Sequence, residues 1–186
     1  MTATFTNDSN LHGPARGQAT LAVPSEWHLG ALMKWHIVGA QSGNLLSLGE
    51  VAVRPGCEPP IHVHAREDET WFVLEGDVIF QRGLERIHAA AGSAVLLPRG
   101  IPHGFAVQGP LARMLHIYTP AGIEDAFRAM SVPAAGPGLP PMPEGAPDPA
   151  LSKALEHAYG QRGVTFVGPP LAVLLAREAQ QETSTR

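Results

Sequence analysis

Residues 56–76 read GCEPPIHVHAREDETWFVLEG, a polar centre flanked by apolar residues and bounded by glycines. His62 and His64 are separated by one residue on a predicted strand, so their side chains project from one face about 7 Å apart. Glu69 follows a polar turn at the start of the next predicted strand, where the returning chain would bring its carboxylate alongside them. Gly76 ends that strand in a predicted tight turn, because glycine readily adopts the positive φ that such turns need.

A third imidazole, that of His103, opens a separate predicted strand behind Pro98, Gly100 and Pro102. Three neutral imidazoles and one carboxylate on a β scaffold suit a first-row divalent metal ion and leave coordination positions open for substrate or water. The residues therefore predict a metal site made of His62, His64, Glu69 and His103.

Short runs rich in Val, Ile, Leu and Phe surround these residues, and each run ends at Gly, Pro or Asp, a pattern typical of an all-β sandwich or barrel. The predicted strands are 45–53, 61–64, 70–74, 78–80, 86–89, 94–97, 103–107 and 112–118. No helical periodicity is present between residues 35 and 118.

The C-terminal third has a different character. Ile123, Phe127 and Met130 recur at helical spacing and predict a short helix. Residues 131–149 hold seven prolines and three glycines, which predicts an extended strap. Asp148 as N-cap opens a second helix that ends at Gly160, and residues 171–179 can form a third. We expect a single domain with an N-terminal arm (1–34), a barrel (35–120) and a C-terminal segment (121–186) packed on the barrel.

Composition excludes several classes of protein. A formal charge of −4 and a pI near 6.1 leave no basic footprint for nucleic acid. One cysteine cannot form an internal disulfide, and residues 1–18 have no apolar core of the kind that a secretion signal needs. The longest clean apolar runs fall far short of the roughly 18 residues that span a bilayer. We therefore expect a soluble cytoplasmic protein without nucleic-acid or membrane partners.

The ligand spacing resembles the two motifs of the cupin superfamily. The first motif matches in full from Gly56 through His62, His64 and Glu69 to Gly76. The second runs through Gly92, Pro98, Gly100 and His103, but this chain has Val107 where cupins commonly have Asn. The resemblance implies an antiparallel jelly-roll β-barrel with the metal in its mouth, extended here by the Pro-rich strap and two or three short helices.

Residues 62–76 further resemble the single-domain cupins grouped with quercetin 2,3-dioxygenase. That resemblance implies a metal-dependent dioxygenase in which a flavonol binds the metal through its deprotonated 3-hydroxyl, Glu69 is both ligand and base, and O2 cleaves the ring. The cofactor would be one divalent transition metal, namely Fe, Mn, Ni, Co, Cu or Zn. The alternatives are a non-catalytic small-molecule-binding cupin and a non-redox metal-dependent cyclase or isomerase. We also expect a homodimer, with the C-terminal segment serving as a lid or a dimer arm.

Strand alternation predicts the pocket around the metal. Trp71 and Val73 share the face of Glu69, and Phe105 and Val107 share that of His103, which together predict an apolar wall. Such a wall favours an aromatic or otherwise apolar substrate over a sugar phosphate, which would require Arg or Lys. Side chains on the predicted strand 112–118 alternate between its two faces, and either of these faces can point inward. If the face with Met114 and His116 points inward, these two residues join the candidate pocket.

Other polar residues near the motif have simpler interpretations. Glu67 and Asp68 are alternative ligands, although their position in a turn favours solvated side chains. Cys57 is interpreted as a small apolar residue rather than a redox group. The remaining histidines are assigned to surface or structural roles: His12, His28, His36, His88 and His157.

Overall fold

The computed structural model describes residues 23–143, 145 and 148–184. Short strands dominate it, as the sequence predicts. They are β1 (Ser25–His28), β2 (Ala31–Ile37), β3 (Ser47–Val53), β4 (Pro60–His64), β5 (Asp68–Glu75), β6 (Asp77–Arg82), β7 (Glu85–Ala90), β8 (Ala94–Leu97), β9 (His103–Val107), β10 (Ala112–Thr119), β11 (Val132–Pro133) and β12 (Val164–Pro170). The helices are α1 (Gly39–Ser42), α2 (Glu124–Ala129), α3 (Pro149–Gly160) and α4 (Leu171–Ser184).

The strands form two antiparallel sheets that face each other. The seven-stranded sheet has the order β11-β1-β2-β3-β10-β5-β8, and the five-stranded sheet has the order β12-β4-β9-β6-β7. The chain forms local hairpins, such as β1–β2 and β6–β7, and also pairs strands that are far apart in sequence, such as β3 and β10. The predicted all-β jelly-roll fold is confirmed.

The core lies between the two sheets because apolar side chains alternate along the strands. In β3 every second residue is buried, and in β10 the inward set is Ala112, Met114, His116 and Tyr118. This settles which face of β10 points inside. Fully buried side chains such as Phe80 each stabilise the fold by roughly 1.5–3 kcal/mol relative to leaving them in water.

The turn between β5 and β6 depends on glycine. Gly76 has a φ of 91°, and a Cβ at this position would collide with the carbonyl oxygen of Leu111. Any other residue would be strained in its backbone and would displace the strand beside it. Gly76 therefore joins two strands as predicted, but it does so at a bend that passes the chain from one sheet to the other rather than in a hairpin turn.

Both ends of the chain add strands that the sequence pattern did not indicate. β1 and the first part of β2 lie within the segment expected to be an arm, and β12 lies within the C-terminal segment. The four-residue helix α1 also lies within the region where helical periodicity is absent. β1, β12 and α1 are short, and β12 pairs with β4 about a hundred residues away, so local patterns carry little information about them.

The predicted helices are present, and their bounds follow the signals in the sequence. In α3 the Asp148 side chain accepts a hydrogen bond from the Ala150 backbone N–H at 2.9 Å, as an N-cap should. α4 runs five residues beyond the predicted end, and its buried Leu171 packs with Ile61 and Ala106 on the outer face of the five-stranded sheet. No helix in the described part of the chain has the length and apolar character needed to cross a membrane. The predicted polar segment 1–18 lies outside the described residues.

Candidate metal centre

The four predicted ligands come from three strands and meet inside the barrel. His62 and His64 lie on β4, and His103 on β9 is the direct cross-strand neighbour of His62. Glu69 reaches the same point from β5 in the opposite sheet. The potential ligand atoms all lie within 4.8 Å of one another, and all four residues are buried.

Two of the imidazoles are oriented by backbone carbonyls. His62 Nδ1 donates to the carbonyl oxygen of Pro60 at 2.8 Å, and His103 Nδ1 donates to that of Ile101 at the same distance. A carbonyl can only accept, so Nδ1 carries the proton and Nε2 keeps a free lone pair. This outer hydrogen bond is typical of a metal-binding histidine.

The third imidazole is oriented by a carboxylate. His64 Nδ1 lies 3.3 Å from Oε2 of Glu67, and both side chains are almost completely buried. The interpretation of Glu67 as a solvated turn residue is wrong, because the turn directs its carboxylate inward onto His64. Asp68 does face the surface, where it forms an ion pair with Arg99 at 2.8 Å. Neither residue belongs to the cluster of potential ligands.

The charges inside the cluster favour a cation. Burial alone would raise the pKa of Glu69, but the contact with His103 and the nearby imidazoles hold it well below its usual value. Burial lowers the pKa of His62 to about 3, with a further contribution from His103. Glu69 is therefore an anion at neutral pH and His62 is neutral, which are the protonation states that a metal ion requires.

Within the ligand cluster, the buried Nε2 atom of His103 lacks a normal hydrogen bond. His103 Nε2 lies 3.2 Å from Glu69 Oε2, but it makes no hydrogen bond of acceptable geometry within the described residues. A buried polar atom of this kind needs a partner. A metal ion between the imidazole and the carboxylate would supply one, so the residues present fit a divalent cation.

His116 lies next to the cluster and is surrounded by aromatic rings. It is 1% exposed, and its ring lies 4.9 Å from that of Trp35 and 5.3 Å from that of Trp71. Its Nδ1 is 3.3 Å from the hydroxyl of Tyr118. Burial lowers its pKa to about 4, so the ring is neutral. A Cβ on Gly49 would collide with Nε2, which shows that this glycine makes room for the imidazole.

A cavity of about 600 Å³ opens onto the cluster. Of the predicted pocket residues, Trp71, Phe105 and His116 lie on its wall. Val73, Val107 and Met114 point into the barrel as expected, but they are packed in the core behind that wall and are absent from its described lining.

The C-terminal segment forms part of the cavity wall. Phe166 on β12 pairs with His62 across the strands, and their ring centroids are 6.2 Å apart. Leu155 and Tyr159 of α3 and Met142 of the strap also line the cavity. The C-terminal segment therefore contributes side chains to the wall of the cavity.

Several residues of the site were not predicted from the sequence. Tyr118 lies opposite Glu69 on the neighbouring strand and lines the cavity, and alternation with His116 was the signal that could have identified it. His28, assigned above to a surface or structural role, is buried and lines the cavity. At the departure from the cupin motif, the backbone N–H of Val107 donates to Glu58 Oε1 at 3.0 Å.

Part of the chain is similar to a known protein family and to proteins of known sequence or structure. Residues 49–122 match the family described as the cupin domain. An uncharacterized protein of Streptomyces coelicolor is 32% identical over 75 residues, which cover 40% of this chain and 70% of that protein. The structure of TT1209 from Thermus thermophilus is 31% identical, covering 41% of this chain and 74% of that one, with a TM-score of 0.39. KdgF from Halomonas sp. is 20% identical, covering 51% and 83% of the two chains, with a TM-score of 0.46.

Proposed function

This chain belongs to the cupin superfamily, and from that premise we propose that it is a metal-dependent dioxygenase of the quercetinase type. It would use O2 to cleave a hydroxylated aromatic or enolizable substrate. The observation that carries the proposal is a cluster of three imidazoles and one carboxylate, of which His62, His64 and Glu69 line an apolar cavity.

The donor set suits a redox-active first-row metal such as Fe, Mn, Ni, Co or Cu. When bound, such a metal would supply Lewis-acid chemistry toward a substrate oxygen and redox chemistry with O2. His62, His64, Glu69 and His103 would hold it.

The chain's own residues supply proton acceptance and positioning. The ionised Glu69 carboxylate accepts the hydroxyl proton of the substrate at one of its oxygens, which leaves the substrate as the anion. Tyr118, opposite Glu69, keeps its own proton, because burial and that carboxylate raise its pKa well above the usual value. Tyr118 is therefore a neutral hydroxyl beside the base rather than a second base.

The cavity wall selects for a planar apolar substrate. Trp71 and Phe105 lie 5.2 Å apart between ring centroids and present aromatic surface next to the ligands. No Lys or Arg occurs among the described residues that line the cavity. A phosphorylated or strongly anionic substrate would lack a counter-charge there, whereas an aromatic ring would be desolvated favourably.

The test is oxygen uptake with quercetin after reconstitution of the metal-free protein with Fe, Mn, Co, Ni or Cu in turn. We expect uptake with at least one metal and none with the metal-free protein. Absence of turnover with every metal would refute the flavonol dioxygenase. Full occupancy by Zn in protein from its native host would instead support a non-redox cyclase or isomerase, and absence of any metal binding would support a small-molecule-binding cupin.

A further inference from the structure

The cavity has a second polar group away from the ligand cluster. His28 at the end of β1 and Tyr159 on α3 both line it and are both buried. The Tyr159 hydroxyl lies 3.0 Å from His28 Nε2. The mechanism proposed above uses neither residue.

The donor and acceptor of each hydrogen bond that joins Ser131, His28 and Tyr159 follow from the bond that Ser131 makes to Phe127. The Ser131 hydroxyl donates to the carbonyl oxygen of Phe127 at 2.8 Å, so its oxygen is free to accept from His28 Nδ1 at 3.1 Å. The His28 ring is neutral, because burial lowers its pKa to about 4. With the proton on Nδ1, Nε2 can only accept, so the Tyr159 hydroxyl donates its single proton to His28.

Tyr159 therefore offers the cavity an acceptor and no donor. Its oxygen retains lone-pair capacity after donating to His28, and no second hydrogen bond to this oxygen is present within the described part of the chain. This acceptor capacity is available to a ligand group that donates a hydrogen bond.

Aromatic side chains separate this acceptor from the metal ligands. The Tyr159 ring packs at 5.9 Å from that of Phe166, and Phe166 in turn lies 6.2 Å from His62. Phe127 packs against the other side of Tyr159 at 5.2 Å. The cavity is thus lined by two polar groups, the ligand cluster and the Tyr159–His28 pair, with the aromatic ring of Phe166 packed near both.

We propose that the oxygen of Tyr159 accepts a hydrogen bond from a second hydroxyl of the substrate, distinct from the hydroxyl whose oxygen is held at the ligand cluster. The inference rests on the proposed function and narrows its substrate class to aromatic compounds with at least two hydroxyls. Tyr159 is a specificity residue in this account, and His28 is a positioning residue that fixes the hydroxyl as an acceptor.

The experiment measures binding rather than turnover. The dissociation constants of 3-hydroxyflavone, which has one hydroxyl, and of quercetin, which has further hydroxyls, are determined with Zn²⁺-loaded protein under argon. One neutral hydrogen bond corresponds to a preference of about three- to tenfold for quercetin. In Tyr159→Phe that preference should disappear, while the dissociation constant for 3-hydroxyflavone stays unchanged.

A second ligand keeps the test independent of how well Tyr159→Phe folds. Quercetin with every hydroxyl except the 3-hydroxyl methylated can accept a hydrogen bond at its remote end but cannot donate one, so the wild-type protein should bind it no more tightly than 3-hydroxyflavone. Equal binding of quercetin and its methyl ether, retained selectivity in Tyr159→Phe, or no selectivity in the wild type overturns the proposal. Selectivity without oxygen uptake would refute the dioxygenase alone, whereas uptake without selectivity would refute only the Tyr159 site.

Discussion

Removal of the Glu67 carboxylate should weaken metal binding even though Glu67 is not a ligand. Its Oε2 lies 3.3 Å from His64 Nδ1, and the two side chains are 3% and 2% exposed. Loss of such an outer partner typically lowers metal affinity about 10- to 100-fold, or about 1.4–2.7 kcal/mol. Glu67→Gln keeps an oxygen acceptor and should fall at the low end. Glu67→Ala leaves a buried N–H unpaired and should fall at the high end.

The assay is competition for Co²⁺ or Zn²⁺ against a chromophoric chelator, with folding checked by thermal unfolding. Asp68→Asn is the matched control, because it also removes one carboxylate from the adjacent position but only breaks a surface ion pair with Arg99. Asp68→Asn should bind metal as the wild type does. Wild-type affinity in Glu67→Ala, or an equal loss in Asp68→Asn, would refute the orienting role of Glu67.

Three further results are expected. Glu69→Gln should retain part of the metal but lose oxygen uptake with quercetin, and undiminished turnover would contradict its role as base. The pKa of His28 in the folded protein is about 4 against an ordinary value of 6.5, so the unfolded chain takes up the proton first as pH falls. In the metal-free protein, the contribution of His28 to the free energy of unfolding should therefore be fully present above pH 6.5 and should be lost as the pH falls toward 4. The loss for this residue between pH 7 and pH 5 is about 2 kcal/mol. Denaturant titrations at pH 7 and pH 5 should show a smaller decrease in the free energy of unfolding for His28→Gln than for the wild type. An equal decrease in both proteins would contradict the lowered pKa of His28. Gly49→Ala should lose about 1–3 kcal/mol of stability, because the added Cβ collides with His116. Gly109→Ala is the control, since a Cβ there meets nothing within 4 Å, and its melting temperature should equal that of the wild type. Equal melting temperatures of the two variants would contradict this expectation.

The shared face of His62 and His64 was predictable because it depends on local order, since one residue between them places both on one side of a strand. Glu69 joins them from the opposite sheet rather than by a hairpin return, and His103 joins them through pairing of β9 with β4, so their approach depends on the fold. Strand alternation also placed Trp71 on the inner face and Phe72 on the outer face, where Phe72 is 37% exposed. Period-two patterns of this kind are visible without knowledge of the partner strand.

Contacts between distant segments were not predictable in the same way. β12 pairs with β4 across about a hundred residues, which brings Phe166 beside His62. Likewise, α3 places Tyr159 on His28, which is 131 residues away in the chain. The buried state of Glu67 has the same origin, because a charged turn residue is ordinarily solvated unless a specific partner, here His64, is brought to it. Whether an inward side chain such as Val73 reaches the cavity or stays in the core also depends on how both sheets pack.

The most direct test of the central claim is an anomalous diffraction measurement on crystals of the metal-loaded protein, recorded on either side of the metal's absorption edge. We expect one strong peak about 2.0–2.2 Å from the Nε2 atoms of His62, His64 and His103 and from a carboxylate oxygen of Glu69. The absence of a peak among these four residues, or a peak bound to Glu67 in place of Glu69, would contradict it.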